Sequence, residues 1–318
     1  MLECKFPLLK KFINAFDSEN RPAHLIFGDS VALRVADDDV SKDTLEDFIE
    51  AEFGGEGSCC ISHSSFHSQV FALFCNALAR VRYQPRSVIL PINLRSFSAS
   101  WDLHPDRQFL WETATLDDFS HGREEQRQPI KSTPVSKAIF QSVPLHLPSG
   151  DIRTIGEFLE VIASHTNRNS SEAWNTRIRE IFTYHYMYNL HPNHRKLRYF
   201  GSAIKTLLRK GIGVGLYITP VNYSAGNLYV GESFEKCMSD NLTMIEGYLR
   251  TFGVEVVDIS DLRVVGVKQT RPTMLNLAYE CNKDDFFTPH NATEHLRGAA
   301  RKVLAGNIAM LAKAVAHN

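Results

Sequence analysis

The sequence predicts an α/β fold in which a parallel sheet of about five strands is covered by helices on both faces. Short apolar runs of strand length alternate with longer segments whose apolar residues recur at helical spacing. Strands that are separated by helices pair in parallel, because the helix carries the chain back to the same end of the sheet. We expect one domain over residues 1–318, with a mainly helical insertion near residues 102–200.

The predicted elements follow this alternation along the chain. Apolar runs of strand length lie at 23–27, 59–61, 87–92, 211–219 and 254–259. Helical spacing is found at 42–53, 63–81, 155–164, 173–188, 197–210, 234–252 and 296–316. Residues 102–150 have no clear period and hold five of the thirteen prolines, so we interpret them as part of an insertion that shapes a substrate site.

Composition and charge exclude several classes of protein. The chain has 318 residues, of which 43% are hydrophobic and 22% charged, close to the average of globular domains. Its 35 basic and 36 acidic residues give a net charge of −1, which does not indicate a nucleic-acid or anionic-membrane partner. We expect no signal peptide and no membrane span. The six cysteines lack paired spacing, so we expect reduced thiols in a cytoplasmic protein.

A Gly-Asp-Ser turn follows the first predicted strand. The apolar residues 25–27 run directly into Gly28-Asp29-Ser30, which brings the Ser30 hydroxyl to the carboxyl end of the sheet, where ligands of open α/β sheets bind. Residues 31–36 can continue as a helix, whose first N–H groups are free to face an anion. Ser30 is therefore a candidate nucleophile, and the alternative is that its hydroxyl only caps this helix.

Two further residues can assist a serine nucleophile. His295 lies just before the terminal helix, and a histidine near its usual pKa can remove the proton of Ser30 at neutral pH. Asn93 follows the third strand, and its side-chain amide can donate to an oxyanion together with backbone N–H groups. Ser64 and Asn222 follow other strands and are predicted to bind the oxyanion or the substrate.

These motifs resemble those of SGNH/GDSL-type hydrolases, a flavodoxin-like three-layer α/β family with a serine–histidine centre. Gly28-Asp29-Ser30 matches the first block of that family, Asn93 resembles the asparagine of the third, and His295-Leu296 with Gly298 resembles the last. Residues 211–222 and 254–260 resemble the carbohydrate O-acyl-transfer branches. The resemblance implies that Ser30 attacks an O-acyl ester such as an acetyl ester, with His295 as base and Asn93 at the oxyanion, and with Ser64 or a neighbour as a third donor.

The chain departs from the family pattern at three places. Pro91 and Leu94 stand where the third block has glycine and aspartate, and residues 62–65 replace a glycine after the second strand. Ala292 occupies the position of the aspartate that precedes the histidine. The third member of a triad is therefore open: Glu294, Asp285, or no carboxylate, in which case Ser30 and His295 form a dyad or a backbone carbonyl holds the ring.

Other polar residues have both a functional and a structural interpretation. Arg95 and Trp101 lie beyond Asn93 and either hold a sugar or an anionic acyl donor, or bind loop carbonyls and cover the core. His63 and His67 have metal-like spacing, but no second cluster completes four ligands, so we predict neither a metal nor a cofactor. Residues 37–39 are interpreted as solvated loop charges.

The sequence supports three functions in this order. The first is a serine esterase that acts on a small-molecule or glycan ester. The second is an O-acyltransferase that passes the acyl group to a sugar hydroxyl through the same centre. The third is a non-catalytic carbohydrate-binding relative, which the missing aspartate at Ala292 favours. No oligomeric state is assigned.

Overall fold

The computed structural model describes residues 6–54, 57–98, 101, 107–123, 171–254, 256–260, 287 and 293–317. Within these ranges five strands form one parallel sheet in the order β2-β1-β3-β4-β5. The strands are β1 (His24–Gly28), β2 (Ser58–Ser62), β3 (Ser87–Ile92), β4 (Gly213–Ile218) and β5 (Val256–Asp258). This arrangement confirms the predicted parallel α/β sheet.

The helices occur between the strands and at both ends of the described chain. They are α1 (Pro7–Asp17), α2 (Ser30–Leu33), α3 (Leu45–Phe53), α4 (Ser68–Ala77), α5 (Leu110–His121), α6 (Ser171–Tyr186), α7 (Arg195–Arg209), α8 (Tyr223–Val230), α9 (Ser233–Arg250) and α10 (Gly298–Val315). A 3₁₀ turn spans Leu94–Phe97. No helix of the described ranges combines the length and the apolar character that crossing a bilayer requires.

Successive residues of the strands pack into two separate cores. In β1, Leu25 and Phe27 join the core that contains α1, α4, α7 and α9, whereas Ile26 joins the core that contains α3 and α10. Alternation of this kind is the period of two of an extended strand. The sheet is therefore a middle layer with helices on both faces, and the carboxyl ends of β1, β2 and β3 remain available for a site.

Two helices begin later than predicted and one helix was not predicted, and in each case a side chain caps the start of the helix. The helix predicted to begin at His63 begins at Ser68, since the His67 side chain caps it by accepting from the Gln69 N–H. The helix predicted from residue 42 begins at Leu45, after a Thr44 capping box. Helix α8 was not predicted, and it begins where the Asn222 side chain accepts from the Ala225 N–H.

The predicted insertion is helical where the structure describes it. Helix α5, helix α6 and the start of α7 lie between residues 102 and 200. The helix predicted at 155–164 lies outside the described residues. Tyr186 and Tyr188, near the end of this stretch, are buried and reach the region beneath the carboxyl end of β3 through their hydroxyl groups.

Candidate active site

Ser30 lies at the carboxyl end of β1, as the Gly-Asp-Ser turn predicts. Gly28 is required there, because a Cβ atom at this position would stand 2.3 Å from the Ser62 hydroxyl oxygen and 2.6 Å from Cβ of Ala32. Helix α2 is capped by Asp29, whose Oδ1 accepts from the Val31 N–H at 2.8 Å. The structural alternative for Ser30 is therefore wrong, since the residue before it supplies the cap.

His295 faces the Ser30 hydroxyl. Its Nε2 lies 3.2 Å from Oγ of Ser30, and both side chains are largely buried. The hydroxyl can donate to this nitrogen when the neutral ring carries its proton on Nδ1. Within the described ranges Nδ1 has no hydrogen-bond partner. The pair thus has the geometry of a serine and its general base.

A buried arginine holds the segment that carries His295. Arg301, on α10, is fully buried and donates to the Leu296 carbonyl at 2.7 Å and to Oδ2 of Asp39 at 2.9 Å. Oδ2 of Asp39 also accepts from the Gly298 N–H at 2.8 Å. The interpretation of residues 37–39 as solvated charges is therefore wrong for Asp39, which fixes the start of α10 just after His295.

The amide of Asn93 points toward two carboxylates. Its Nδ2 donates to Oδ2 of Asp29 at 2.7 Å and to Oε2 of Glu294 at 3.1 Å, while its Oδ1 accepts from the Arg95 N–H. Both amide protons are therefore engaged, and Asn93 does not line the cavity above Ser30. This geometry differs from the predicted oxyanion donor, because two buried carboxylates compete successfully for the same protons.

Glu294 is the centre of a buried polar network beneath the site. Besides Asn93, it accepts from Arg95 at 2.7 Å and from the Tyr186 hydroxyl at 3.1 Å, and it is fully buried. Burial raises the pKa of the Glu294 carboxyl, but Arg95, His295 and the hydrogen bonds lower it more, so that the carboxylate stays ionised. Removing any one partner would leave a buried charge poorly satisfied.

Asp29 has the opposite electrostatic balance. Burial, followed by the nearby charge of Glu294, raises the pKa of this carboxyl to about 6. The hydrogen bonds from Asn93 and from the Val31 N–H oppose the rise. Asp29 and Glu294 share one amide group and cannot both be ionised without cost. The pair therefore keeps its last proton up to an unusually high pH.

A cavity of about 490 Å³ opens beside Ser30 and His295. Its wall includes Ser64 and Arg95, which were predicted to contact substrate, together with Trp101. Ser65 also lines the cavity and has a left-handed backbone with φ of 74°. This conformation favours glycine, and here a serine adopts it.

Asn222 is a predicted site residue that is not among the described residues lining this cavity. Its Oδ1 caps α8, and its backbone N–H donates to the Thr293 carbonyl at 2.8 Å, so these two atoms are used in the fold. The contact of Asn222 with substrate stays a prediction. Asp285, one of the candidate third members of a triad, lies outside the described residues.

Sequence reasoning missed several residues of the site. Arg34 and Arg107 line the cavity, and Tyr186 donates to Glu294 from 108 residues away. The position of Arg34, one helical turn after Ser30, is a signal that could have been used, since residues four apart share a helix face. Arg107 and Tyr186 belong to the insertion, whose path carries no such signal.

The two histidines with metal-like spacing, His63 and His67, contact backbone carbonyl groups instead. Nε2 of His67 contacts the Arg107 carbonyl at 3.0 Å, and Nδ1 of His63 contacts the Ser64 carbonyl at 2.9 Å. In the part of the chain that the structure describes, no group of three or more His, Cys, Asp or Glu side chains is placed to hold a metal ion. The described cysteines Cys59, Cys60, Cys75 and Cys237 are buried and free.

In comparisons with known proteins, no family model matches this chain, and no curated protein gives a significant match.

Proposed function

We propose that this protein is a serine esterase of the SGNH/GDSL type, with Ser30 as nucleophile and His295 as general base. The observation that carries the proposal is the 3.2 Å separation of Ser30 Oγ and His295 Nε2 at the wall of a cavity at the carboxyl end of the sheet. A capped helix start makes the Ser30 hydroxyl unnecessary for structure. The free described cysteines are compatible with a cytoplasmic location.

The reaction proceeds through an acyl-enzyme. His295 takes the proton of Ser30 as Oγ attacks the ester carbonyl carbon, and the carbonyl π electrons move to oxygen to give a tetrahedral oxyanion. The oxyanion collapses, the bond to the alcohol breaks, and His295 gives its proton to the leaving alcohol. Water then repeats the sequence on the acyl-enzyme, with His295 as base and Ser30 as leaving group, which releases the carboxylic acid.

Backbone N–H groups are the proposed oxyanion donors, since the Asn93 amide is engaged elsewhere. The Ser30 N–H is the first of α2, and no hydrogen bond to it is found within the described ranges. The loop of Ser64 and Ser65 lies beside it on the cavity wall. Donors from a helix start and from a strained turn are a recurring way to stabilise a tetrahedral intermediate.

Labelling with a fluorophosphonate probe tests the proposal. The wild-type protein and the control Ser239→Ala, which changes an exposed serine of α9, should both be labelled. Ser30→Ala should not be labelled and should lose nearly all cleavage of phenyl acetate. Its fold should persist, because Asp29 and not Ser30 caps α2. Labelling of another serine in Ser30→Ala, or none in the wild type, would contradict the assignment, and the second result would favour a binding protein.

Acyl transfer is the alternative outcome for the same centre. In the second half-reaction a sugar hydroxyl can replace water, because His295 deprotonates either one. Measuring phenol release and free acetate with and without glycan acceptors separates the two activities. An esterase releases acetate and phenol in equal amounts, whereas a transferase releases more phenol than acetate when the acceptor is present.

A further inference from the structure

The loop between β2 and α4 reaches the cavity through a tight turn. Residues His63 to Phe66 form this turn, which the Phe66 N–H closes by donating to the His63 carbonyl at 3.0 Å. The start of the turn is held beside β1, because the His63 N–H donates to the Gly28 carbonyl at 3.4 Å. The two central residues, Ser64 and Ser65, line the cavity. The peptide group that joins them therefore lies at the cavity wall.

The turn is of type II, although a serine stands where such turns favour glycine. Ser65, the third residue of the turn, has a φ of 74°, whereas the φ of Ser64 is not positive. A hydrogen-bonded turn with a positive φ at the third residue alone is type II. A type I turn would avoid the strained backbone of Ser65, and it differs by rotations of roughly 150–170° on either side of the central peptide. The closing hydrogen bond is common to both types, so another contact has to select type II.

The His63 ring supplies that contact. Its Nδ1 lies 2.9 Å from the Ser64 carbonyl oxygen, and because a carbonyl oxygen only accepts, this nitrogen carries a proton and donates it. Two aromatic neighbours hold the ring, with distances between ring centres of 5.0 Å to Phe66 and 5.5 Å to Phe109. In a type I turn the Ser64 carbonyl would point away from the ring, and this hydrogen bond would be lost. His63 thus stabilises type II relative to type I.

Holding the carbonyl also directs the N–H at the other end of the same peptide. The peptide between Ser64 and Ser65 is trans, so its N–H points opposite to its C=O. The carbonyl is turned toward His63, which is not among the described residues that line the cavity. No described residue accepts a hydrogen bond from the Ser65 N–H. This N–H is therefore available to the cavity, and rotation to type I would put a carbonyl oxygen in its place.

We propose that His63 is a positioning residue that keeps the Ser65 N–H directed at the oxyanion formed during the reaction at Ser30. This inference rests on the proposed esterase function and adds a residue that does not itself touch the substrate. An oxyanion is stabilised by an N–H donor and repelled by a carbonyl oxygen, so the type of turn decides whether this peptide favours the reaction. Because the charge exists in the tetrahedral intermediate and not in the bound ester, the effect belongs to kcat rather than to KM.

Replacing His63 by phenylalanine tests the hydrogen bond separately from the packing. His63→Phe keeps a ring against Phe66 and Phe109 but has no N–H to donate. With phenyl acetate, kcat should fall about tenfold or more while KM changes less than about twofold, since loss of one oxyanion donor costs roughly 10²–10³ in kcat. His121→Phe is the matched control and should keep the wild-type kcat. The exposed His121, on α5, also contacts a backbone carbonyl through its Nδ1, at 2.8 Å.

A glycine at the third position of the turn should reverse the loss. Glycine adopts a positive φ without strain, so Ser65→Gly favours type II without help from the ring. In the Ser65→Gly background, His63→Phe should therefore reduce kcat by less than about threefold. An unchanged kcat in His63→Phe, or a loss that is equally large in the Ser65→Gly background, would overturn the inference. In either case Ser30-dependent cleavage by the wild type would still uphold the esterase.

Crystal structures of the variants test the turn without turnover. The residue at position 65 should have a positive φ in the wild type and in the double variant His63→Phe/Ser65→Gly, and a negative φ in His63→Phe. A positive φ in His63→Phe would show that the ring does not select the turn and would overturn the inference. Absence of Ser30-dependent cleavage in the wild type would instead overturn the esterase and the oxyanion role with it, whatever the type of turn.

Discussion

Oε1 of Glu294 lies 4.0 Å from Nε2 of His295, which is the ring nitrogen that faces the Ser30 hydroxyl at 3.2 Å. A triad carboxylate instead accepts from the Nδ1–H on the far side of the ring, and thereby fixes the tautomer. Glu294 therefore acts on the imidazolium by its charge rather than by orienting the ring. Among the described residues the proposed catalytic unit is therefore a dyad of Ser30 and His295.

Glu294→Gln should affect stability more than chemistry. The change removes a buried charge and leaves Arg95 without its carboxylate, and breaking a buried pair costs about 3–5 kcal/mol. The loss in kcat should be far smaller than the roughly 10⁴-fold drop caused by neutralising a triad aspartate.

Urea unfolding and phenyl acetate turnover measure the two effects. Glu246→Gln, which breaks the exposed pair with Arg250, is the control and should cost less than about 1 kcal/mol. A kcat as low as that of His295→Ala, with the fold intact, would mean that Glu294 is a true triad member.

The pH dependence of kcat/KM should follow His295. The base is active when neutral, and burial lowers its pKa below the ordinary 6.5, with Arg95 and Arg34 adding to the effect and Glu294 opposing it. Activity toward a neutral ester should therefore rise with pH through a midpoint below 6.5 and level off above that midpoint. Removing the positive charge in Arg34→Gln should raise the pKa and move the rise to higher pH.

This shift also separates His295 from Asp29, which titrates at about pH 6 because of burial and Glu294. The Arg34 charge is a cause of the His295 shift, whereas the pKa of Asp29 is set by its own buried neighbours. A pH profile that is identical in the wild type and in Arg34→Gln would assign the rise to a group other than His295.

Asn93→Ala should lower stability and turnover together. The change takes a hydrogen bond from each of two buried carboxylates, Asp29 and Glu294, and each unsatisfied group costs about 1–3 kcal/mol. Turnover should fall because Asp29 caps the helix that carries Ser30 and loses its partner.

Asn241→Ala is the matched control, since this buried asparagine binds the Tyr188 carbonyl and the Leu190 N–H away from the cavity. It should lose stability by a similar amount and keep its kcat. If Asn93→Ala is as stable as the wild type and its kcat falls about 100-fold, the result would support the prediction from sequence that the Asn93 amide donates to the oxyanion.

The Arg301–Asp39 pair should contribute far more to stability than the neighbouring Arg297–Asp38 pair. Arg301 is fully buried, so Arg301→Ala leaves Asp39 as a buried carboxylate without its cation and should cost about 3–5 kcal/mol. Arg297 and Asp38 are partly exposed, so Arg297→Ala should cost less than about 1 kcal/mol.

Chemical denaturation compares these two variants directly. Arg301→Lys keeps the charge but loses the forked contacts to Asp39 and the Leu296 carbonyl, so it should unfold at an intermediate denaturant concentration. Equal losses for Arg301→Ala and Arg297→Ala would show that the buried contacts do not hold the start of α10.

The sequence alone determined the parallel α/β sheet and the places of Ser30 and His295. Apolar periodicity is a local property, because each strand or helix buries one face or both wherever it lies in the chain. A turn that directly follows a buried strand also depends only on local sequence, and it places Ser30 at the edge of the sheet. Ser30 and His295, 265 residues apart, could be paired because strand order and a terminal helix restrict where each can lie.

Only the tertiary structure decided what the remaining polar groups do. Asn93 could be read as an oxyanion donor, yet its amide turns to Asp29, 64 positions earlier, and to Glu294, 201 positions later. The direction of a buried amide depends on the charges that surround it, and those charges come from distant segments. The arginines around the cavity gather in the same way, since packing of the sheet, α2 and the insertion brings them to one cavity.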